Sequence, residues 1–288
     1  MLQYITDTLR AAETSPLVQS REDAFDYLRQ IGFEDFAEVL LLMPIAEFPK
    51  MSRLLPAMAS EEVQAGWTGR HGYPLLTQST AFIRSVVFNQ ARFGRKPINE
   101  CKVLDYGCGY GCLARLMYYF VGSDDFYGVD PWDRSIEECR KAGLTTNFVQ
   151  SSFLPTSLPV GQATFDLAYA FSVFTHLSER ALLRALAAMR KCMAPDGLAV
   201  ITIRPIEYWD VEGIVKPEQR DALKRAHREC GFAFFPMGFP SDLDGELTYG
   251  HTSMSFEWFD SNVPGWKRVG LDRHLDDFCQ TYLILKPV

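Results

Sequence analysis

The 288-residue sequence lacks any apolar run that approaches the roughly 20 residues a membrane-spanning helix needs. The N-terminus also lacks a basic patch followed by an apolar core, so the sequence predicts no secretory signal peptide. Together these two absences predict a cytoplasmic protein with no membrane partner.

Paired cysteines are missing too. The seven cysteines are an odd number and include no C-x-x-C pair. Cys108 and Cys112 stand at C-x-x-x-C spacing, but neither a second pair nor a nearby histidine accompanies them, so no zinc site is predicted. Asp242 and Asp244 are interpreted as turn residues rather than metal ligands. We therefore expect reduced thiols and no bound metal.

The sequence has fewer basic than acidic residues. The 29 lysines and arginines are outnumbered by 36 acidic residues, which leaves a net charge of −7. A nucleic-acid partner requires a basic surface, so none is expected. The sequence leaves open whether the chain forms a homo-oligomer.

Two regions with different patterns follow one another. Residues 1–95 are predicted to form a helical N-terminal extension, in which the segment 66–74, with three glycines and a proline, is predicted to be a loop. From residue 96 to residue 288, short apolar strands alternate with helices, which predicts a mostly parallel sheet covered on both faces. The predicted strands are 102–105, 125–130, 146–150, 165–170, 198–203, 266–271 and 278–285.

The most informative segment follows the first predicted strand. Asp105 ends that strand, and Gly107, Gly109 and Gly111 alternate before an apolar helical run. Glycines at this spacing allow a sharp turn and a close approach of the backbone to a ligand, which favours a nucleotide-like cofactor beside the helix N-terminus. The spacing differs from the G-x-G-x-x-G pattern of most dinucleotide-binding turns.

A second acidic residue stands at the end of the next strand. Asp130 lies 25 residues after Asp105, close to the spacing at which a carboxylate meets a ribose in strand–helix–strand nucleotide folds. The alternative is that Asp130 caps the following helix. Trp132, two positions later, is a candidate to pack on an adenine ring.

Two segments carry a resemblance to one known family. Residues 103–111, VLDYGCGYG, resemble the glycine-rich loop of the class I S-adenosylmethionine (SAM)-dependent methyltransferases, and residues 165–177, FDLAYAFSVFTHL, resemble that family's fourth-strand motif. The resemblance implies a Rossmann-like α/β fold with a seven-stranded sheet, SAM as cofactor and S-adenosylhomocysteine (SAH) as product. Ser152 stands where the family often has an aspartate. The residues that the resemblance assigns to the cofactor are Asp105, Gly107, Cys108, Gly109, Asp130, Trp132, Ser152, Phe153 and Phe171.

The resemblance is nearest to bacterial small-molecule and sugar methyltransferases. It implies in-line methyl transfer to a small-molecule or sugar-like acceptor, and O-methylation is favoured. His251, in a segment expected to be a loop facing the acceptor, is the first candidate for a general base. His176 is the second, although the resemblance favours for it a role in orienting its loop and lining the cofactor pocket. Arg204 is expected to line the acceptor site. Trp67 and Arg70 are expected there too, and the alternative is that their segment is only a packing loop between helices.

Two alternatives stay open at the level of the sequence. One is an NAD-dependent or nucleotide-sugar oxidoreductase on a similar fold, and the other is a non-catalytic SAM-binding protein. Asp105 bears on the first alternative, because its carboxylate would repel a pyrophosphate but attract the amino group of SAM.

Overall fold

The computed structural model describes residues 1–144, 147–237, 242–243 and 246–288. By packing, the chain divides into two compact units: residues 1–87 with 97–150, and residues 88–96 with 151–288. The helices are α1 (Gln3–Thr14), α2 (Arg21–Leu28), α3 (Phe33–Leu42), α4 (Pro49–Leu54), α5 (Glu61–Thr68), α6 (Gly72–Phe93), α7 (Cys112–Met117), α8 (Asp133–Lys141), α9 (Glu179–Lys191), α10 (Pro217–Cys230) and α11 (Phe256–Asn262). The strands are β1 (Val103–Tyr106), β2 (Phe126–Asp130), β3 (Phe148–Gln150), β4 (Phe165–Ala170), β5 (Met193–Ile203), β6 (Phe232–Pro236), β7 (Asp242–Leu243), β8 (Glu246–Leu247), β9 (Gly250–Met254), β10 (Trp266–Arg273) and β11 (Thr281–Pro287).

Seven strands form one sheet in the order β10-β11-β5-β4-β1-β2-β3. The pairs β1–β2, β2–β3 and β4–β5 are parallel, whereas β11 is antiparallel to both β5 and β10. Strand β1 is buried throughout and β4 nearly so, as expected for strands covered on both faces. The predicted Rossmann-like sheet of seven mostly parallel strands is therefore confirmed. The predicted third strand begins two residues later than expected, and Thr146 lies outside the described residues.

In the first unit, the N-terminal helices share a core with the strands β1 to β3. The Phe25 ring lies 5.1 Å from the Tyr118 ring and the Phe36 ring 5.2 Å from the Tyr119 ring, measured between centroids. Arg29 donates hydrogen bonds to the backbone carbonyls of Tyr118 and Tyr119. Residues 1–87 therefore pack together with the half of the sheet that carries the glycine loop, and a domain boundary at residue 95 stays a prediction.

The predicted loop over residues 66–74 is wrong. Helix α5 continues to Thr68 and α6 begins at Gly72, which leaves a turn of three residues. Gly69 ends α5 in the left-handed conformation (φ 73°), a common role of glycine at helix C-termini. The buried Gln64 side chain holds the turn by donating to the Ala59 carbonyl and accepting from the Gly72 amide. Gly69 and Gly72 thus mark the end of one helix and the start of the next, and no long loop forms over residues 66–74.

The second unit contains helix α9 and the strands β4, β5, β10 and β11. Ser178 caps α9 by accepting from the Ala181 amide. After β5 the chain forms an additional layer that the sequence did not predict, consisting of α10 and the antiparallel pair β6–β9. His251 lies within β9, so its expected position in a loop is wrong.

Arg115 joins the glycine loop to the N-terminal region within the first unit. Its buried guanidinium donates to the carbonyls of Tyr110 (2.8 Å), Gly111 (2.6 Å) and Ala57 (2.6 Å). Because Arg115→Ala leaves buried carbonyls without donors, we expect the free energy of unfolding to fall by about 3 kcal/mol in urea denaturation. The exposed Arg140→Ala is the control, with an expected loss below about 0.5 kcal/mol. Equal losses for the two variants would contradict the prediction.

Candidate functional site

The glycine loop after β1 has a backbone that only glycine adopts readily. Gly107, Gly109 and Gly111 have φ values of 78°, 53° and 75°. A Cβ built on Gly111 would lie 2.2 Å from the Leu144 Cδ1 atom, so the Leu144 side chain would have to shift. The backbone conformation is therefore the main reason for glycine at the end of this loop.

The amides of the loop are bonded inside the protein. Gly107 and Cys108 both donate to the Val129 carbonyl, at 2.7 and 3.2 Å. The Gly109 amide donates to Asp130 Oδ2 at 3.0 Å. A phosphate bound at a helix N-terminus depends on backbone amides that point at it. These three amides are engaged elsewhere, so they are not available to a phosphate group.

Asp130 connects the loop to the segment after β2. Its Oδ2 atom accepts from Gly109, and its Oδ1 atom accepts from the Trp132 amide at 2.9 Å. The side chain is buried, and this burial raises the pKa of its carboxyl group, although the amide donors oppose the shift. The alternative role as a helix cap is not supported, since Trp132 is the N-cap residue of α8 and no side chain caps that helix. Each carboxylate oxygen retains further capacity to accept hydrogen bonds.

Asp105 and Cys108 are buried beside the same loop. Asp105 lies within β1 and is 1% exposed. Burial, with Cys139 adjacent, raises the pKa of the Cys108 thiol well above its usual value, which keeps the thiol protonated. Cys108 therefore contributes to the loop through its backbone and its packing.

Trp67, expected at the acceptor site, lies in the first unit against the loop and Trp132. Its ring centroid is 4.8 Å from that of Trp132 and 5.8 Å from that of Tyr110. Arg70 lies in the short turn after α5, and its carbonyl accepts from the Thr68 hydroxyl. The structure thus places Trp67 with the residues predicted to bind the cofactor.

The remaining predicted cofactor residues belong to the second unit. Ser152 and Phe153 are exposed, and Ser152 Oγ accepts from the Leu154 amide. Phe171 follows β4 and lies 6.4 Å from Tyr282 between ring centroids.

Ser172, directly after Phe171, is a strained position. It has φ 58°, a value that non-glycine residues rarely adopt. Its amide donates to Thr202 Oγ1 at 2.7 Å, and its hydroxyl accepts from Gln280 Nε2 at 3.1 Å. Such strain persists only where surrounding contacts enforce it, and it is frequent at functional sites.

His176 belongs to a polar cluster in the second unit. Its Nδ1 atom lies 2.8 Å from the Gly250 carbonyl, which can only accept, so Nδ1 carries the hydrogen. Its Nε2 atom then accepts from Arg204 Nη2 at 2.9 Å. Burial and the Arg204 cation lower the pKa of His176 to about 3. His176 is therefore a neutral imidazole with both nitrogens engaged.

His251 is a member of the same cluster. Its Nδ1 atom lies 2.7 Å from the Tyr208 hydroxyl and 3.4 Å from Arg204 Nη1. Burial and the Arg204 cation lower its pKa to about 4, so it is neutral at pH 7. Within the described part of the chain, its Nε2 atom has no hydrogen-bond partner.

Arg204 is the centre of this cluster. Its buried guanidinium donates to the Thr175 carbonyl and to His176, and its Cζ atom lies 4.0 Å from the centre of the Tyr208 ring. The structure thus brings His176, Arg204 and His251 into one cluster, and their place beside an acceptor stays a prediction. Tyr208 was not predicted, because only the tertiary fold brings its hydroxyl to His251.

The described residues include no cluster of three or more side chains suited to a metal ion. Asp244 lies outside the described residues, as does the side chain of Asp242, so their interpretation as turn residues stays a prediction. Among the described helices, none combines the length and apolar character that crossing a membrane requires.

Residues 103–197 match a family model described as a methyltransferase domain. The match includes the glycine loop, Asp130 and the whole fourth-strand motif. Residues 103–197 form a methyltransferase domain. The resemblance to the class I SAM-dependent methyltransferases is thereby confirmed for this part of the chain. Comparison with curated proteins gives no match.

The solved structures to which this chain is similar have low sequence identity to it. The PH0226 protein of Pyrococcus horikoshii OT3 is 12% identical, with a TM-score of 0.49, over 73% of this chain and 91% of its own. The CcbJ methyltransferase of Streptomyces caelestis is 16% identical, with a TM-score of 0.46, over 71% and 89%. A SAM-dependent methyltransferase of Clostridium acetobutylicum ATCC 824 is 14% identical, with a TM-score of 0.46, over 79% and 95%. The assignment of the domain rests on the family match and the observed sheet.

The buried state of His176 predicts a pH-dependent stability. Its pKa is about 3 in the folded state and about 6.5 in the unfolded state, so the unfolded state binds more protons between these values. The stabilisation is complete above pH 6.5 and is lost as the pH falls. His176→Asn, which keeps a donor toward Gly250, removes this dependence. We expect the difference in unfolding free energy between wild type and variant to shrink by about 3 kcal/mol from pH 7 to pH 4.

Urea denaturation of both proteins at a series of pH values tests this prediction. The carboxylates titrate in both proteins, so their contribution to the unfolding free energy cancels in the difference. His71→Asn, which removes an exposed imidazole, is the comparison. A difference between wild type and His176→Asn that does not change with pH would contradict the prediction.

Proposed function

We propose that the protein is a SAM-dependent methyltransferase that methylates a small-molecule acceptor, most favourably at an oxygen atom. The observation that carries this proposal is the pair of buried carboxylates, Asp105 and Asp130, beside a glycine loop whose amides are bonded internally. Carboxylates suit hydroxyl and ammonium groups, whereas a pyrophosphate requires free amides or cations. The same observation therefore disfavours a dinucleotide at this loop.

The residues of the first unit fit the polar groups of SAM. Asp130 would accept hydrogen bonds from the ribose hydroxyls, Asp105 would attract the amino group, and Trp132 would pack on the adenine. SAM, when bound, supplies an electrophilic methyl group on a sulfonium with a good leaving group. Ser152, Phe153 and Phe171 are proposed as further contacts to the cofactor. The protein's contribution is then to hold the donor, orient the acceptor and exclude water.

His251 is the proposed general base, which a hydroxyl acceptor requires. In the tautomer that carries the hydrogen on Nδ1, the Tyr208 oxygen accepts that hydrogen and Arg204 Nη1 donates to the Thr175 carbonyl instead of to His251. The Nε2 lone pair is then free to take a proton. His176 is the weaker candidate, because both of its nitrogens already have partners. We assign His176 the role of holding Arg204 in place, and we propose that Arg204 and Arg70 lie beside the bound acceptor.

Calorimetric titration with SAH, SAM and NAD tests the donor. We expect binding of SAH and SAM but not of NAD. Asp130→Asn should weaken SAH binding by about tenfold or more, because a charged hydrogen-bond acceptor is lost. Asp133→Asn, an exposed carboxylate nearby, is the matched control and should bind SAH as wild type does. Tight NAD binding without SAH binding would overturn the proposal.

Methyl transfer from labelled SAM to a panel of small hydroxyl, amine and carboxylate compounds identifies the acceptor. His251→Ala should then lower kcat about 100-fold or more without weakening SAH binding. Because a base with a pKa of about 4 is already unprotonated at neutral pH, wild-type kcat/KM should show no rise between pH 6 and 7. His71→Ala should retain full activity, and unchanged turnover in His251→Ala would remove His251 from the mechanism.

A further inference from the structure

An aromatic side chain from the N-terminal helices lies against the predicted donor residues of the first unit. Trp67, on α5, has its ring centroid 4.8 Å from that of Trp132, with the two planes tilted by 33°. A Cβ built on Gly109 would lie 3.9 Å from Trp67 Cε3. The Trp67 ring also lies 5.8 Å from the ring of Tyr110 in the glycine loop, so the indole contacts both the loop and the candidate adenine-binding residue.

Four contacts close a ring at this position. Trp67 contacts Tyr110, and the amide of the adjacent Gly109 donates to Asp130. Asp130 accepts from the Trp132 amide, and the Trp132 ring returns to Trp67. An adenosine with its ribose on Asp130 and its base beside Trp132 occupies the surface that this ring bounds. Such an adenosine would therefore lie next to Trp67.

Further contacts fix the position of Trp67. The Arg134 guanidinium lies 5.7 Å from the Trp67 ring and 5.8 Å from the Trp132 ring, within the range of cation–π attraction. The Tyr110 ring meets Trp67 at a near-perpendicular angle. Both indoles nevertheless remain partly exposed, unlike the aromatic residues of the core. Trp67 is thus a well-positioned aromatic surface available to a ligand.

We propose that Trp67 is a cofactor-binding residue that packs on the adenosine of SAM, so that the N-terminal helices complete the donor site. This inference rests on the proposed function, and it moves Trp67 from the expected acceptor side to the donor side. A second aromatic face beside Trp132 suits a flat heteroaromatic base, because stacking on aromatic side chains contributes strongly to the binding of nucleobases.

Calorimetric titration of the full-length chain with SAH tests the inference. Trp67→Ala should weaken SAH binding about tenfold, whereas Trp67→Phe, which keeps an aromatic face, should retain most of the affinity. Tyr73→Ala is the matched control, because Tyr73 is an exposed aromatic residue at the start of α6 whose hydroxyl bonds Glu38, outside the ring. Thermal unfolding of each variant verifies that the fold is intact.

Circular dichroism gives a second readout that does not depend on affinity. Two indoles in contact couple their transitions, so wild type should show an exciton signal that Trp67→Phe and Trp132→Phe both remove. Added SAH should change this signal in wild type. If wild type binds no SAH, the proposed function fails. If wild type binds SAH but Trp67→Ala binds it equally or more tightly, or if SAH leaves the signal unchanged, the inference on Trp67 is overturned.

Discussion

The candidate donor site depends on the hydrogen bonds that the buried carboxylate of Asp130 accepts. This carboxylate is buried at the end of β2, and its two oxygens accept from the amides of Gly109 and Trp132. A buried carboxylate is costly unless hydrogen bonds satisfy it, and these two amides provide that compensation. The same bonds fix the glycine loop and the segment that carries Trp132 relative to each other. One side chain thus determines both the shape of the loop and the position of an aromatic face.

A buried cation has the corresponding role in the second unit. Arg204 donates to a carbonyl and to His176, and its guanidinium lies over the Tyr208 ring. Burial is the larger cause that lowers the pKa of both His176 and His251, and the Arg204 charge adds to it. Protonation of either histidine would place a second positive charge beside Arg204. The cluster therefore keeps its imidazoles neutral, and a neutral imidazole can accept a proton where an imidazolium cannot.

Local patterns predicted much of the fold. The glycine loop and strand β4 depend on residues close in sequence, and both were predicted correctly. The loop over residues 66–74 was wrong because a glycine that ends a helix and a glycine within a loop look alike without the packing of Gln64. His251 was misplaced because its strand forms only by pairing with Phe235, sixteen residues earlier. The contact of Trp67 with Trp132 is likewise tertiary, and no local pattern encodes it.

The N-terminal helices also support the glycine loop. Arg115 bonds the Ala57 carbonyl and the loop carbonyls of Tyr110 and Gly111 with one guanidinium, so the loop and the N-terminal segment share a buried charge. Trp67, ten residues after Ala57, contacts the ring of Tyr110 in the same loop. A buried guanidinium that loses a hydrogen-bond partner destabilises the fold. A displacement of the N-terminal segment would therefore also disturb the loop. Folding of residues 1–87 and the geometry of the glycine loop are thus physically coupled.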